Sequence, residues 1–251
     1  MFVTSSDGTQ IHYEVTGDGD TALVFVHGWM GNVRWWDAQR DAFAATHQVV
    51  TIDLAGHGRS GARAEGSADA YANDILAVVA ATTAPRVVLV GHSMAGAYAI
   101  AACPAIDRLQ RLILVDTLKN LDAIPTLEQT APLFASYRAD FVAAVANVLP
   151  AYLFTPQTPP AIVERLTREF LTVSGDYACR LLEPLYRFDI RAAARRVRVP
   201  VRGIGTRADA SGMAVNRTYF ADYDYVSIGD FGHYPMLEAP ELFDAALRAQ
   251  L

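Results

Sequence analysis

The segment Gly91–Gly96, which is Gly-His-Ser-Met-Ala-Gly, constrains the fold of this chain more than any other feature. It follows the apolar run Val87–Val90 and precedes a run of small residues, Ala97–Cys103. This pattern predicts a strand, a sharp turn and a helix. A serine on such a turn projects its hydroxyl beyond the carboxyl end of the strand, where the helix N-terminus favours negative charge. The pattern therefore predicts that Ser93 is a nucleophile, although a glycine-rich turn with an incidental serine has the same local sequence.

Short apolar runs along the rest of the chain predict further strands. These runs are Phe2–Thr4, Ile11–Thr16, Ala22–Val26, Val49–Ile52, Arg111–Val115, Val201–Ile204 and Tyr225–Ile228. Patterns typical of helices occur near Trp35–Ala45 and over Tyr71–Thr82 and Pro240–Gln250. Strands that alternate with helices predict an α/β fold, here a mostly parallel eight-stranded sheet with helices on both faces.

Residues 117–191 interrupt this alternation with helix formers, prolines and apolar side chains. We expect several short helices, inserted after the sixth strand as a cap over Ser93. The predicted domains are a core of residues 1–116 and 192–251 and a helical cap of residues 117–191. The side chains expected to contact substrate are those of Trp29, Met94, Leu118, Tyr137 and Phe154.

Composition limits the possible partners of the chain. Its 251 residues are 52% hydrophobic and carry a net charge of −6 without a basic stripe, so nucleic acid is not an expected partner. The two cysteines, Cys103 and Cys179, lack the spacing of a metal site or a disulfide framework. The N-terminus lacks the pattern of a signal peptide, and no apolar run reaches about 18 residues. We expect a soluble cytoplasmic protein that needs no membrane.

A serine nucleophile needs a general base, and the base needs an orienting acid. His233 is the best candidate for the base, because it follows the last predicted strand in a loop with glycines before it and a proline after it. Asp209 and Asp116 both follow predicted strands, and either can supply the acid. Asp209 is favoured because it gives the chain order serine, acid, histidine with a suitable loop.

An acyl-transfer intermediate also needs donors for its oxyanion, usually backbone N–H groups. One donor is expected from Met94, directly after the serine. The other is expected from the loop that follows Ala22–Val26, where the N–H of Trp29 is the natural candidate and Gly28 allows the backbone to turn. The Trp29 side chain is then placed to form a wall of the acyl pocket.

Several short segments carry a resemblance to a known family. In chain order they are His27-Gly28 with Gly31, Asp53–Ser60, Gly91–Gly96, Pro200-Val201 leading to Asp209, and Gly232-His233 with Glu238 and Pro240. With this order and spacing the chain resembles α/β-hydrolase fold enzymes over essentially its whole length. The resemblance implies a nucleophile at Ser93, an acid at Asp209, a base at His233 and a helical cap, with a structural role for Asp53–Ser60. The chain departs from the usual pattern at Ala95, which replaces a commoner glycine, and in lacking a glycine shortly before Asp209.

The predicted function is hydrolysis of small carboxylic esters or lactones through an acyl-enzyme on Ser93, with no metal and no organic cofactor. Two alternatives remain because one fold hosts many chemistries. The same triad can serve carbon–carbon bond hydrolysis, hydroxynitrile cleavage or cofactor-free oxygenation, or the chain can be a ligand receptor on the hydrolase scaffold. The apolar cap favours a small, apolar, ester-like substrate, and peptides fit poorly because no acidic cluster is present to hold a free amino terminus.

Overall fold

A computed structural model of the chain describes residues 1–207 and 210–251, and its central feature is one eight-stranded sheet. The strands are β1 (Phe2–Thr4), β2 (Gln10–Thr16), β3 (Thr21–Val26), β4 (Gln48–Ile52), β5 (Arg86–His92), β6 (Leu109–Val115), β7 (Val201–Gly205) and β8 (Tyr223–Ser227). Their order across the sheet is β1-β2-β4-β3-β5-β6-β7-β8. The pairs β1–β2 and β2–β4 are antiparallel and the remaining pairs are parallel, which confirms the predicted mostly parallel sheet.

The central strand β3 shows why the apolar runs form this sheet. Its side chains from Ala22 to Val26 are fully buried, and those of Val49 and Val50 on β4 are at most 1% exposed. Because neighbouring residues of a strand point to opposite sides, continuous burial means that both faces of the sheet are covered. The sequence therefore needs helices on each side, and its alternating pattern supplies them.

The helices fill the connections between the strands. They are α1 (Asp37–Phe43), α2 (Ala68–Ala80), α3 (Met94–Ala102), α4 (Leu127–Ala139), α5 (Phe141–Asn147), α6 (Leu149–Leu153), α7 (Pro160–Phe170), α8 (Gly175–Arg187), α9 (Ile190–Ala194), α10 (Ala210–Asn216), α11 (Pro235–Glu238) and α12 (Pro240–Gln250). The predicted helix near Trp35–Ala45 begins as a 3-10 turn over Val33–Trp36 before α1. No helix in the described ranges is both long and apolar enough to cross a bilayer.

Helices α4 to α9 all lie between β6 and β7, in the segment expected to form the cap. Helix α4 packs against α8, and α5 packs against α6 and α7. Helix α9 packs against α3 of the core, so the predicted boundary at residue 191 falls inside a helix. The division into residues 1–116 and 192–251 around a cap of 117–191 remains a prediction.

The Asp53 carboxylate fixes the loop that follows β4. It accepts hydrogen bonds from the backbone N–H groups of Val33 (2.7 Å) and Arg59 (3.0 Å). It also lies 2.8 Å from Nδ1 of the buried His12. Asp53 itself is only 1% exposed. Every one of these donors would be left without an acceptor if the carboxylate were removed.

We therefore expect Asp53→Ala to lower the free energy of unfolding by about 3 to 5 kcal/mol, because buried polar groups lose their charged partner. Urea denaturation followed by circular dichroism measures the change. Asp20→Ala is the matched control, since the Asp20 carboxylate is 78% exposed and its ion pair with Arg86 spans 3.6 Å. The control should stay within about 0.5 kcal/mol of the wild type. Equal effects of the two substitutions would contradict the structural role of Asp53.

Candidate active site

Ser93 occupies the sharp turn between β5 and α3 and adopts a strained backbone conformation. Its φ is 54° and its ψ is −125°, in a region that L-residues rarely occupy. The turn is possible because strand and helix approach closely at two glycines. A Cβ atom at Gly91 would lie 2.9 Å from the Ala95 carbonyl oxygen, and one at Gly96 would lie 2.5 Å from Cγ2 of Thr117. The two glycines therefore leave the space that the sharp turn at Ser93 requires.

The hydroxyl of Ser93 meets an imidazole and, behind it, a carboxylate. Oγ of Ser93 lies 2.7 Å from Nε2 of His233. Nδ1 of His233 lies 2.8 Å from Oδ2 of Asp116. Since an ionised carboxylate can only accept, Nδ1–H donates to Asp116 and the neutral Nε2 accepts from Ser93. This is the arrangement in which an imidazole can take a proton from a serine.

The carboxylate in contact with His233 in the described residues belongs to Asp116. Asp116 was the alternative acid, and it lies directly after β6. The Nδ1–H of His233 donates to this carboxylate. Asp209 lies outside the described residues, and the preference for it as the acid stays a prediction.

The second oxygen of Asp116 has three donors of its own. Oδ1 accepts from the backbone N–H of Thr206 at 2.9 Å, from the Thr206 hydroxyl at 3.1 Å and from Nζ of Lys119 at 2.7 Å. Burial by itself would raise the pKa of Asp116. The hydrogen bond from His233 and the positive charge of Lys119 outweigh burial and hold this pKa well below its usual range. Asp116 is therefore ionised wherever the protein is folded at ordinary pH.

Neither Lys119 nor Thr206 was predicted from the sequence to contact the acid. The sequence does hold a signal for Lys119, which is the only lysine in the 251 residues and follows Asp116 by three positions. Thr206 offered no comparable signal, since its contact with Asp116 arises from the pairing of β6 with β7.

The loop that carries His233 is held by backbone hydrogen bonds on each side of the imidazole. The Glu238 carboxylate accepts from the N–H groups of Gly232 (2.9 Å) and Tyr234 (3.1 Å). The N–H of His233 itself donates to the carbonyl of Leu153, at the end of α6, over 2.8 Å. The Glu238 carboxylate also accepts from the hydroxyl of Thr158, which follows α6, at 2.6 Å. The helices between β6 and β7 therefore help to set the position of the imidazole.

His92 also binds the loop that carries His233. Its Nε2–H donates to the carbonyl oxygen of His233 over 2.8 Å. His92 is fully buried, and desolvation lowers its pKa to about 3. Desolvation likewise lowers the pKa of His27 to about 4 and that of His57 to about 3. These three imidazoles are neutral at pH 7, and none of them contacts the Ser93 hydroxyl.

The loop after β3 lies against the turn at Ser93. A Cβ atom at Gly28 would come within 2.9 Å of Cβ of Ser93. Within the described ranges, the backbone N–H groups of Trp29 and Met94 donate to no other group of the protein. The Trp29 side chain contacts α8 and α4: its Nε1–H donates to the carbonyl of Ala178 over 2.7 Å, and its ring stacks on Tyr137 with 5.8 Å between centroids.

The expected substrate contacts differ in how much surface they present. Met94 and Tyr137 are buried, at 1% and 2% exposure, whereas Trp29, Leu118 and Phe154 are half-buried. A depression of about 280 Å³ is lined by Phe154 together with Asp116, Lys119, Thr206, Phe231 and His233, among others. A larger cavity of about 320 Å³ lies between the Met30–Asn32 loop and α7, and it includes none of Ser93, Asp116 and His233. In the described part of the chain, no group of three His, Cys, Asp or Glu side chains is placed to share a metal ion.

Residues 23–246 match the profile of the Alpha/beta hydrolase family. The chain therefore belongs to the α/β-hydrolase family, whose members include the esterases, enol-lactonases and haloperoxidases to which it is similar. It is 23% identical to a 3-oxoadipate enol-lactonase 2 of Acinetobacter baylyi over 248 residues, covering 95% of this chain and 92% of the relative. An enol-lactonase structure from Burkholderia xenovorans LB400 superimposes with a TM-score of 0.85 at 21% identity, covering 99% of this chain and 98% of that one.

Other similarities are higher in identity but shorter. The chain is 42% identical to a non-heme haloperoxidase of Rhodococcus erythropolis over 97 residues, 38% of this chain and 35% of the relative. It is 33% identical to a dihydrolipoyllysine-residue acetyltransferase component of an acetoin cleaving system of Pseudomonas putida over 156 residues, 61% of this chain. The chain thus spans 40% of the length of the Pseudomonas protein and 35% of that of the haloperoxidase. The cytoplasmic location expected from the sequence stays a prediction.

Removal of the Glu238 carboxylate should loosen the loop of His233. Hydrogen bonds to a charged acceptor contribute about 1.5 to 3 kcal/mol, so we expect Glu238→Ala to speed amide hydrogen exchange at Gly232 and Tyr234 by about 10- to 100-fold. Exchange measured by mass spectrometry on peptides that cover residues 228–240 tests this. Glu241→Ala, at an exposed carboxylate three residues further on, is the control and should leave exchange at residues 232–234 unchanged. Unchanged exchange in both variants would show that Glu238 does not hold the loop.

Proposed function

We propose that this protein is a serine hydrolase that cleaves small carboxylic esters or lactones through an acyl-enzyme on Ser93. The observation that carries the proposal is the hydrogen-bonded line from the Ser93 hydroxyl through His233 to Asp116, with distances of 2.7 and 2.8 Å. The similarity to enol-lactonases and esterases supports the same class of reaction.

In the acylation step, Nε2 of His233 takes the hydroxyl proton as Oγ of Ser93 attacks the carbonyl carbon of the ester. The imidazolium that forms is stabilised by the Asp116 carboxylate. We assign the oxyanion to the backbone N–H groups of Trp29 and Met94, because both are unpaired and lie beside the serine. His233 then returns the proton to the departing alkoxide, and the alcohol leaves.

In the second step, a water molecule gives a proton to His233 and attacks the acyl-enzyme carbonyl. The bond between the acyl carbon and Oγ of Ser93 breaks, His233 returns the proton to Oγ, and the acid is released with the Ser93 hydroxyl and the neutral imidazole restored. A lactone follows the same course, except that its alcohol remains joined to the acyl group as a single hydroxy acid. The half-buried apolar side chains of Trp29, Leu118 and Phe154 favour a small apolar acyl or alkoxy group over a charged one.

A second candidate activity uses the same acyl-enzyme with hydrogen peroxide in place of water, so that a peracid is released. Its support is the similarity to a bifunctional esterase/perhydrolase of Acinetobacter calcoaceticus, 36% identical over 126 residues and 48% of this chain. Peracid formation from acetate esters and peroxide, compared with acetate formation, measures the share of each nucleophile. Both activities require Ser93.

Ser93→Ala should lower kcat for hydrolysis of a nitrophenyl ester by about a million-fold, the scale of loss when a triad nucleophile is removed. A fluorophosphonate should add one adduct to the wild type and none to the variant, as measured by intact mass. Ser136→Ala, at an exposed serine on α4, is the matched control and should keep wild-type activity and the adduct. An adduct that persists in Ser93→Ala would place the nucleophile elsewhere.

The choice of acid is tested by a pair of substitutions. Asp116→Asn should lower kcat/KM by about three to four orders of magnitude, because the amide cannot hold the productive imidazole tautomer or stabilise the imidazolium. Asp209→Asn should lower it by less than about tenfold. Both values are measured on one activated ester, with circular dichroism to check folding. A large loss confined to Asp209→Asn would restore Asp209 as the acid.

A further inference from the structure

The backbone directly after β6 follows an unusual course. Asp116 and Leu118 both have positive φ, at 43° and 51°, a conformation that non-glycine residues seldom adopt. Two contacts hold this course. The Thr117 hydroxyl donates to the carbonyl of Ser93 over 2.8 Å, and the fully buried Asn216 donates to the carbonyl of Leu118 over 2.7 Å. The result is that Lys119 faces the carboxylate three residues before it.

The Lys119 ammonium is bound on two sides. Nζ lies 2.7 Å from Oδ1 of Asp116 and donates to the carbonyl of Thr206 over 2.6 Å. The side chain of Lys119 is 29% exposed, so water screens its charge only in part. Lys119 therefore bridges the ends of β6 and β7 at the oxygen of Asp116 that does not contact His233.

We propose that Lys119 is a positioning residue of the triad, whose ammonium fixes the Asp116 carboxylate and offsets part of its negative charge, and so weakens the stabilisation that this carboxylate gives to a protonated His233. This inference rests on the proposed function, in which neutral His233 is the base. Its physical cause is simple. An unshielded carboxylate stabilises the imidazolium, and a cation on the same carboxylate opposes that effect.

Other titratable groups near His233 do not take over this role. His92 is neutral because burial holds its pKa at about 3, and burial raises the pKa of Tyr234 far above the working range. The Glu238 carboxylate faces the backbone N–H groups beside His233.

Among the described residues, Arg207 also lines this depression, and it pairs with Asp230 over 2.7 Å. Their side chains are 69% and 59% exposed, and their opposite charges cancel. Of the described cations that line the depression, Lys119 is the one that contacts Asp116.

The first test is a titration of His233 by NMR in protein labelled at histidine Cε1, with the signal assigned by its loss in His233→Gln. We expect Lys119→Met to raise the pH of half-protonation of His233 by about one unit, since a partly exposed cation acts through an effective dielectric constant near 20. Lys119→Arg retains the charge and should keep the wild-type titration. Arg207→Gln removes an equal charge from the same depression and should shift the titration by less than about 0.3 units.

The second test is the acidic limb of kcat/KM for a nitrophenyl ester, which should move to higher pH by the same amount in Lys119→Met. At pH 5.5 this variant should lose about five- to tenfold more activity, relative to its own plateau, than the wild type. A titration of His233 that is unchanged in Lys119→Met, or one that Lys119→Arg shifts equally, would overturn the proposal. If no Ser93-dependent hydrolysis is found, the proposed function fails, while the NMR titration still decides the role of Lys119.

Discussion

The strained turn at Ser93 is the constraint on which the rest of the site depends. A φ of 54° at a residue with a side chain costs free energy, and the surrounding structure must over-determine it. The N–H of Ser93 donates to Val115 at the end of β6 over 3.1 Å, and its carbonyl accepts from Thr117. The turn is therefore tied to the strand that also delivers Asp116. Ser93 and Asp116 share one support, which fixes the distance that the His233 imidazole has to bridge.

The imidazole reaches this gap from a loop without regular structure, so hydrogen bonds have to supply its rigidity. Glu238 holds the residues on either side of His233, and His92 holds its carbonyl. The remaining bond, from the His233 N–H to Leu153, comes from the helical insertion between β6 and β7. A displacement of α6 would thus move the imidazole together with the wall that α6 contributes to the depression at His233. This couples the geometry of the proposed base to the position of the insertion.

Charge at the site is nearly balanced. The buried Asp116 and the half-buried Lys119 carry opposite charges. The net charge of the site therefore changes when His233, which contacts Asp116, gains or loses a proton. The nearby histidines do not contribute charge, because desolvation keeps them neutral. In the proposed mechanism, the Asp116 carboxylate compensates the positive charge that arises on His233 during proton transfer. The strength of that compensation depends on what else binds the same carboxylate.

The class of fold could be predicted from the amino-acid sequence alone, because apolar runs of strand length alternate with helical patterns along most of the chain. The sequence also pointed to Ser93 and His233, whose neighbouring glycines and positions after strands are local features; the two side chains lie in contact, and their catalytic roles stay proposals.

Local sequence patterns could not decide between Asp116 and Asp209 as the acid. Both follow neighbouring strands, β6 and β7, whose carboxyl ends reach the same edge of the sheet. Only the tertiary structure brought Asp116 to His233, because that contact depends on positive φ values at Asp116 and Leu118 and on the buried Asn216, which lies about a hundred residues away in the chain. The contacts of Lys119 with Thr206 and of Thr158 with Glu238 likewise join residues that lie far apart in the chain, and only the folded chain reveals them.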